Sequence, residues 1–308
     1  DAWSYTQDYL RRFLDDCRQP GDASRAAGDN AHASYLLFAA TLGRRTGELH
    51  RALAQTTGDP AFDPEPITAK DTAEWLDRVR EEAKATFERL ERARHRLPES
   101  AQALAEDVLA AGIGVPHAGR YASLAAQVLD SRGTAAARAK QVEALTPRAM
   151  KTRYHGDYHL GQVLVAKDDV IIIDFEGEPS RSLAERRAKD SPLRDVVGML
   201  RSFDYAAHAA LRQATADGTC NRAELWPYLG DWEQQSRAAF LDGYVAAVGD
   251  SPGYPADPDQ MKVLLALFTL EKACYELRYE LDNRPDWVEI PLGGLRELLS
   301  LEAKDAPS

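Results

Sequence analysis

The stretch that most narrows the possible folds is a pair of apolar, β-branched runs, Val163-Leu164-Val165-Ala166 and Val170-Ile171-Ile172-Ile173. Branched side chains favour the pleated backbone, and the intervening Lys167-Asp168-Asp169 has turn composition, so the two runs predict an antiparallel hairpin. A polar loop, Tyr154-His155-Gly156-Asp157-Tyr158-His159-Leu160-Gly161-Gln162, leads into the hairpin, and Asp174-Phe175-Glu176 leads out of it. Such a hairpin gathers the loop's polar side chains and the exit carboxylate at one end.

Elsewhere the periodicity is helical. Trp3, Tyr5, Tyr9, Leu10, Phe13, Leu14 and Cys17 predict a helix that stops before Gln19-Pro20-Gly21. A second, from Tyr35 to Ala54, is expected to bury Leu36, Leu37, Ala40, Leu49 and Leu53, with His50 a structural histidine near that side. Past the Pro-rich connection, Asp71 with Glu74 reads as a capping box. It opens a long helix striped by Leu76, Val79, Ala83, Phe87, Leu90 and Leu97 and stopped by Pro98. Ala101–Ala111 and Pro116–Leu145 follow, the latter broken near Ser131-Arg132-Gly133. Beyond the hairpin, Ser191 as N-cap and Pro192 at the first helical position begin a helix to about Ala214. Leu229–Val248, Pro258–Leu281 and Leu292–Leu301 complete the set.

Metal-assisted phosphoryl transfer needs a carboxylate to orient the attacking hydroxyl, then an amide oxygen and a second carboxylate to hold Mg²⁺. Asp157, Gln162 and Asp174 stand in that order. The protein-kinase catalytic loop runs His-Arg-Asp, four residues, Asn, with Asp-Phe-Gly further on. Here Gln162 keeps the offset of that Asn from Asp157, and Asp174-Phe175-Glu176 stands where Asp-Phe-Gly would. His-Gly-Asp alone often marks only a turn. Specificity comes from loop, offset amide, hairpin and strand-end Asp together.

The stretches His155–Gln162, Ile173-Asp174-Phe175-Glu176-Gly177-Glu178-Pro179 and Lys189-Asp190-Ser191-Pro192-Leu193-Arg194-Asp195 resemble bacterial maltokinases, above all the maltokinase part of trehalose synthase/maltokinase fusions. The resemblance implies an aminoglycoside-phosphotransferase-like, protein-kinase-like fold. It also implies transfer from ATP to maltose, giving maltose 1-phosphate for trehalose, glycogen and other α-glucan metabolism. It covers the whole chain but only the second part of the family's chain. The expected fold class is therefore mostly α (α+β): a helical C-terminal lobe with a catalytic β-hairpin, its N-terminal β lobe missing. Residues 1–150 offer no phosphate-covering loop or strand lysine; glycines 112, 114 and 119 follow no strand. The expected parts are 1–55 (post-hinge helices), 56–147 (helical subdomain), 148–215 (catalytic loop, hairpin and following helix) and 216–308 (helical acceptor-binding part). The implied partners are maltose, ATP, the missing lobe and a fused trehalose synthase domain. The lobe alone is expected to be inactive.

On this resemblance Asp157 accepts or orients the proton of the sugar hydroxyl, and Gln162 and Asp174 are the Mg²⁺ ligands. Glu176 has two readings, a second-metal or water-mediated ligand and a plain structural residue. His155 braces the loop, His159 touches substrate or phosphate, and Asp195 holds the loop from behind. Arg194 pairs with an acidic loop residue or, as the weaker reading, with phosphate. For the acceptor, Lys272, Tyr275 and Tyr279 lie off the apolar stripe of the helix over Pro258–Leu281, followed by Arg284 and Trp287. Aromatic faces beside hydrogen-bonding groups suit a disaccharide. The plain alternative is an amphipathic surface helix.

A net charge of −11 argues against nucleic acid or an anionic membrane as main partner. Three cysteines, Cys17, Cys220 and Cys274, show no metal-type spacing and fit a reducing compartment. No signal peptide opens the chain and no apolar run approaches ~20 residues. The expected location is cytoplasmic. Two further classes stay open: a kinase of glucosamine or an aminoglycoside, and a non-catalytic sugar-binding or assembly module. A cationic acceptor calls for carboxylates, so Lys272 and Arg284 speak for a neutral sugar. An intact Asp157, Gln162 and Asp174 speak against a degenerate kinase.

Overall fold

The computed structural model describes residues 1–17, 31–112, 135–179, 181–216, 218 and 220–300. In chain order the elements are α1 (Ala2–Cys17), α2 (Ala33–Leu53), β1 (Glu65–Pro66), α3 (Ala69–Ala93), α4 (Glu99–Gly112), α5 (Ala135–Leu145), β2 (Met150–Lys151), β3 (Val163–Ala166), β4 (Asp169–Ile172), α6 (Leu183–Arg187), α7 (Leu193–Thr215), α8 (Arg222–Val248), α9 (Pro258–Asn283) and α10 (Glu289–Ser300). They divide between two compact units that alternate along the chain. Unit 1 is Asp1–Glu65 with Met150–Tyr254, and unit 2 is Pro66–Ala149 with Pro255–Ser308. Among the described residues no helix is long and apolar enough to cross a membrane.

In unit 1, β3 and β4 form the antiparallel hairpin, with Val163 opposite Ile172 and Ala166 opposite Asp169. The turn is tighter than Lys167-Asp168-Asp169: Asp169 already belongs to β4, and Lys167 adopts φ 58°, as two-residue hairpin turns require. Val163 and Val170 face the core, whereas Leu164 and Ile171, paired across the strands, are exposed. Arg45 of α2 grips the turn end of the hairpin, donating to both oxygens of Asp169 at 2.8 and 2.5 Å.

The buried face of α2 differs from the expected one. It consists of Tyr35, Ala39, Leu42, Gly43, Thr46, Gly47 and His50, while Leu37 is 72% exposed. The reason is a backbone-to-backbone crossing with α8. A Cβ added at Gly43 would lie 1.9 Å from the Phe240 carbonyl oxygen, and one at Gly243 would lie 2.2 Å from that of Ala40. So the small residues, not the leucines, set which side turns inward.

In unit 2, α3 packs on α9 and α4 on α10. Leu76, Val79, Ala83, Phe87 and Leu90 are buried, and Trp75 meets Phe268 edge-on at 5.3 Å. The cap of α3 falls three residues earlier than Asp71. Thr68 is the N-cap and Asp71 is the returning carboxylate of the box, because Asp71 Oδ2 accepts the Thr68 N–H at 2.8 Å. The helix ends at Ala93 in a 3₁₀ turn, Arg94–Arg96, before Pro98 is reached. Likewise α7 starts at Leu193, one residue past Pro192. Helix α8 begins at Arg222, where the Asn221 side chain accepts the Ala223 N–H, and contains Pro227 past its first turn, where the missing N–H leaves the Ala223 carbonyl without its intrahelical donor. The expected stop at Gln19-Pro20-Gly21, the helix start at Pro116, its break near Ser131-Arg132-Gly133, Gly114, Gly119 and Leu301 lie outside the described residues.

Candidate active site

The loop before β3 is short, polar and largely enclosed, so its backbone groups need partners from the surrounding helices. Asp195, in the first turn of α7 and 2% exposed, supplies two: its carboxylate accepts the N–H of His155 at 2.7 Å and of Gly156 at 2.9 Å. His50 of α2 donates from Nε2 to the same carboxylate at 3.1 Å, and its Nδ1 is 3.0 Å from the Tyr244 hydroxyl of α8. The structural histidine of α2 is thus part of the loop's support.

His155 links the loop to the exit of the hairpin, just past β4. Its Nδ1 accepts the Asp157 N–H at 3.3 Å, which leaves Nε2–H to donate to the Ile173 carbonyl at 2.8 Å. The ring lies against Tyr158 and Phe175 at 5.2 and 5.1 Å. Gly156 and Gly177 both adopt positive φ, 86° and 74°, and a Cβ on Gly156 would sit 3.3 Å from Gly177 Cα. Only glycine fits that backbone contact without strain. His159 caps the 3₁₀ turn Leu160–Gln162: its Nδ1 accepts the Gly161 N–H at 3.0 Å.

These supports bring Gln162 and Asp174 face to face, Gln162 Nε2 lying 2.9 Å from Asp174 Oδ2. Asp174 is exposed and sits at φ 64°, a left-handed conformation that costs a non-glycine residue roughly 1–2 kcal/mol. An amide and a carboxylate are the oxygen donors a hard cation takes, and two protein ligands leave positions for phosphate oxygens and water, which suits Mg²⁺. The donor set therefore fits Mg²⁺, with the Gln162 amide turned so that its oxygen replaces the nitrogen. Among the described residues no cluster of three His, Cys, Asp or Glu side chains forms a metal cage. Glu176 is exposed, and its backbone carbonyl accepts from Arg186 at 3.3 Å.

Arg194 pairs with Asp190 at 2.8 Å, both largely buried. Burial, with Asp190 close by, raises the pKa of Tyr154. At the turn, the hydrogen bonds from Arg45 hold the Asp169 carboxyl down at about 2.

The five residues expected to meet an acceptor belong to unit 2, whereas the loop and hairpin belong to unit 1. Within unit 2, Lys272 Nζ lies over the Tyr275 ring at 5.3 Å. Arg284 is held between Tyr279 and Trp287, at 5.4 and 5.0 Å from their centroids, and donates to both oxygens of Glu280 at 2.9 and 2.6 Å. Three glutamates of α9, Glu271, Glu276 and Glu280, are buried. Three supports escaped the sequence reading: Thr46 and Ser202, which bond Tyr158 and Leu160 of the loop, and Tyr244. Their only signal was a polar side chain on an inward helix face.

No family model matches the chain. The chain is 27% identical over 306 residues to a glucosamine kinase of Streptacidiphilus jiangxiensis, covering 99% of this chain and 56% of that protein. It is 32% identical over 150 residues to a glucosamine kinase of Mycolicibacterium smegmatis, covering 47% of this chain and 34% of that protein. The fold is similar to a solved glucosamine kinase in complex with glucosamine, ADP and inorganic phosphate, with a TM-score of 0.64, 25% identity, and 97% of this chain and 57% of that one covered. A solved glucosamine kinase in crystal form A gives a TM-score of 0.64 at 25% identity, with 99% of this chain and 61% of that one covered. The chain thus spans about half the length of the first of these relatives, 56%. The relatives are sugar kinases. Nothing in these likenesses supports the maltokinase identity or a fused trehalose synthase domain.

Proposed function

We propose that the chain is the C-terminal lobe of a protein-kinase-like, aminoglycoside-phosphotransferase-like sugar kinase that transfers phosphate from ATP to a sugar hydroxyl. The observation that carries this reading is the facing pair Gln162 and Asp174 at 2.9 Å, beside the braced His155-Gly156-Asp157 loop. The likeness to glucosamine kinases over 97–99% of the chain supports it independently. In this reading Asp157 accepts or orients the proton of the attacking hydroxyl. Gln162 and Asp174 hold Mg²⁺, with Glu176 at its margin. Bound there, Mg²⁺ would neutralise charge on the phosphates of ATP.

For the acceptor we favour glucosamine. The two cations that spoke for a neutral sugar are engaged within unit 2, Arg284 by the Glu280 carboxylate and two rings, Lys272 by Tyr275. The chain is similar to glucosamine kinases over nearly its whole length, and that likeness favours an amino-sugar acceptor. Maltose is the second reading, favoured by the motif resemblance in the three stretches around Asp157, Asp174 and Asp195. The test is to supply the full-length protein with ATP and Mg²⁺, offer glucosamine, maltose and glucose in turn, and follow products by ³¹P NMR. A phosphorylated amino sugar is the expected result. Maltose 1-phosphate would select the second reading, and no transfer to any sugar would overturn the kinase assignment.

A further inference from the structure

Thr46 and Tyr158 form a buried hydroxyl pair that the loop's own chemistry does not use. Thr46 Oγ1 lies 2.8 Å from the Leu42 carbonyl oxygen and 2.8 Å from the Tyr158 hydroxyl, and both side chains are buried. A threonine hydroxyl has one proton, and a carbonyl can only accept. Thr46 therefore donates to Leu42, and Tyr158 must donate to Thr46. The direction of the bond is fixed.

A Val–Phe pair would fill nearly the same space without burying two hydroxyls, whose desolvation consumes most of what the bond returns. What the hydroxyls add is a defined position. Tyr158 immediately follows Asp157, and it is held at both ends. Its hydroxyl is tied to Thr46, while its carbonyl oxygen would be 2.5 Å from a Cβ on Gly198 of α7, so it lies flush against that helix. On the other side of Asp157, the His155 N–H is tied to Asp195. Asp157 is thereby suspended between two anchored neighbours. Thr46 stands one helical turn before His50, whose ring supports Asp195, so the same face of α2 reaches both anchors.

We propose that Thr46 is a positioning residue for the phosphoryl-transfer loop, acting through the Tyr158 hydroxyl to fix the placement of Asp157. This rests on the sugar-kinase reading for its catalytic consequence, but the anchoring can be measured without it. In the full-length protein, Thr46→Val should raise amide hydrogen exchange across residues 155–162 about tenfold, well beyond the rise elsewhere in the chain, with a melting temperature lowered by a few degrees by the stranded Tyr158 hydroxyl. It should lower kcat about tenfold with KM unchanged, since displacement of a reacting group acts on turnover. Thr46→Ser keeps the hydroxyl and should restore both. Tyr158→Phe, which leaves no buried donor unpaired, should loosen the loop and lower kcat likewise with a melting temperature close to that of the wild type, and the double variant should be no worse than Thr46→Val alone. Unchanged exchange in Thr46→Val would overturn the proposal, as would an effect that Thr46→Ser fails to restore. Should the wild type phosphorylate no sugar, the kinase reading falls by itself, and loosened exchange in Thr46→Val would still support the anchor.

Discussion

Asp195 accepts three N–H groups, from the backbone of His155 and Gly156 and from His50, at 2.7 to 3.1 Å while 2% exposed. Removing a shared acceptor strands all its donors. Asp195→Ala should therefore cost about 3 kcal/mol of stability by urea unfolding, and Asp195→Asn, which keeps one acceptor oxygen, distinctly less. A cost of under about 1 kcal/mol for the alanine would mean that water replaces the carboxylate, and the loop is not braced as described. Asp157 predicts the opposite signature. Its side chain is half-buried at the site, so Asp157→Asn in the full-length protein should leave unfolding unchanged and cut turnover by ~10²–10⁴. Retention of more than about a tenth of wild-type turnover would remove it from its assigned role.

The elements differ in how plainly the sequence announces them. The hairpin was legible because β-branched runs and a turn state their period locally, and α3 and α9 because their apolar stripes are long. Helix α2 was legible as a helix but not in its orientation. Its inward face carries Gly43, Thr46, Gly47 and His50, and a reading by hydrophobicity points instead to Leu37, which is exposed. Contacts made by the absence of a side chain leave no apolar signal. The loop's polar residues were legible as a set, and the motif resemblance named Asp195 behind them, but Thr46, Ser202 and Tyr244 were not legible as partners, because they lie far from the loop in sequence and belong to no motif. The division into two units is likewise non-local, since each is assembled from two separate segments. The α2–α8 crossing yields a paired test. Gly43→Ala places a methyl 1.9 Å from the Phe240 oxygen and should destabilise by about 3 kcal/mol or more, because two helix backbones must part. Gly230→Ala, in the same α8 with nothing within 4 Å of the added methyl, should stabilise by about 0.5–1 kcal/mol through helix propensity. Equal effects at the two sites in thermal or urea unfolding would contradict the close crossing.

At the scale of the whole molecule, stability should depend on pH through groups that burial moves in opposite senses. His32 of unit 1, whose Nδ1 is 2.8 Å from the Tyr9 hydroxyl, has its pKa lowered by desolvation, with Asp231 opposing weakly. The unfolded chain then binds a proton that the folded one resists, so stability falls as pH drops below about 6.5. Between α7 and α8 lies a buried ionic cluster: Arg201 pairs with Asp204, His208 stands 3.5 Å from the same carboxylate, and Arg237 pairs with Glu233 at 3.0 Å. Desolvation, then the nearby Asp204 charge, raises Glu233 to about 7, with Arg237 and Arg201 opposing. For an acid raised in the folded state the sign is the reverse of the usual carboxylate. Its contribution is fully present below the unfolded value near 4.3 and is lost as pH rises through about 7, because folding takes up a proton in that window. The stability curve should therefore climb from pH 5 as His32 is relieved and be held back toward pH 8 by Glu233. Glu233→Gln removes Glu233's share of the second slope, leaving the part due to Asp204, whose carboxyl burial also pushes up, and leaves the first slope intact. Urea unfolding of the two proteins at pH 5, 6, 7 and 8 should show the variant gaining on the wild type as pH rises. Parallel curves would mean that Glu233 is ionised throughout and that its two arginines outweigh its burial.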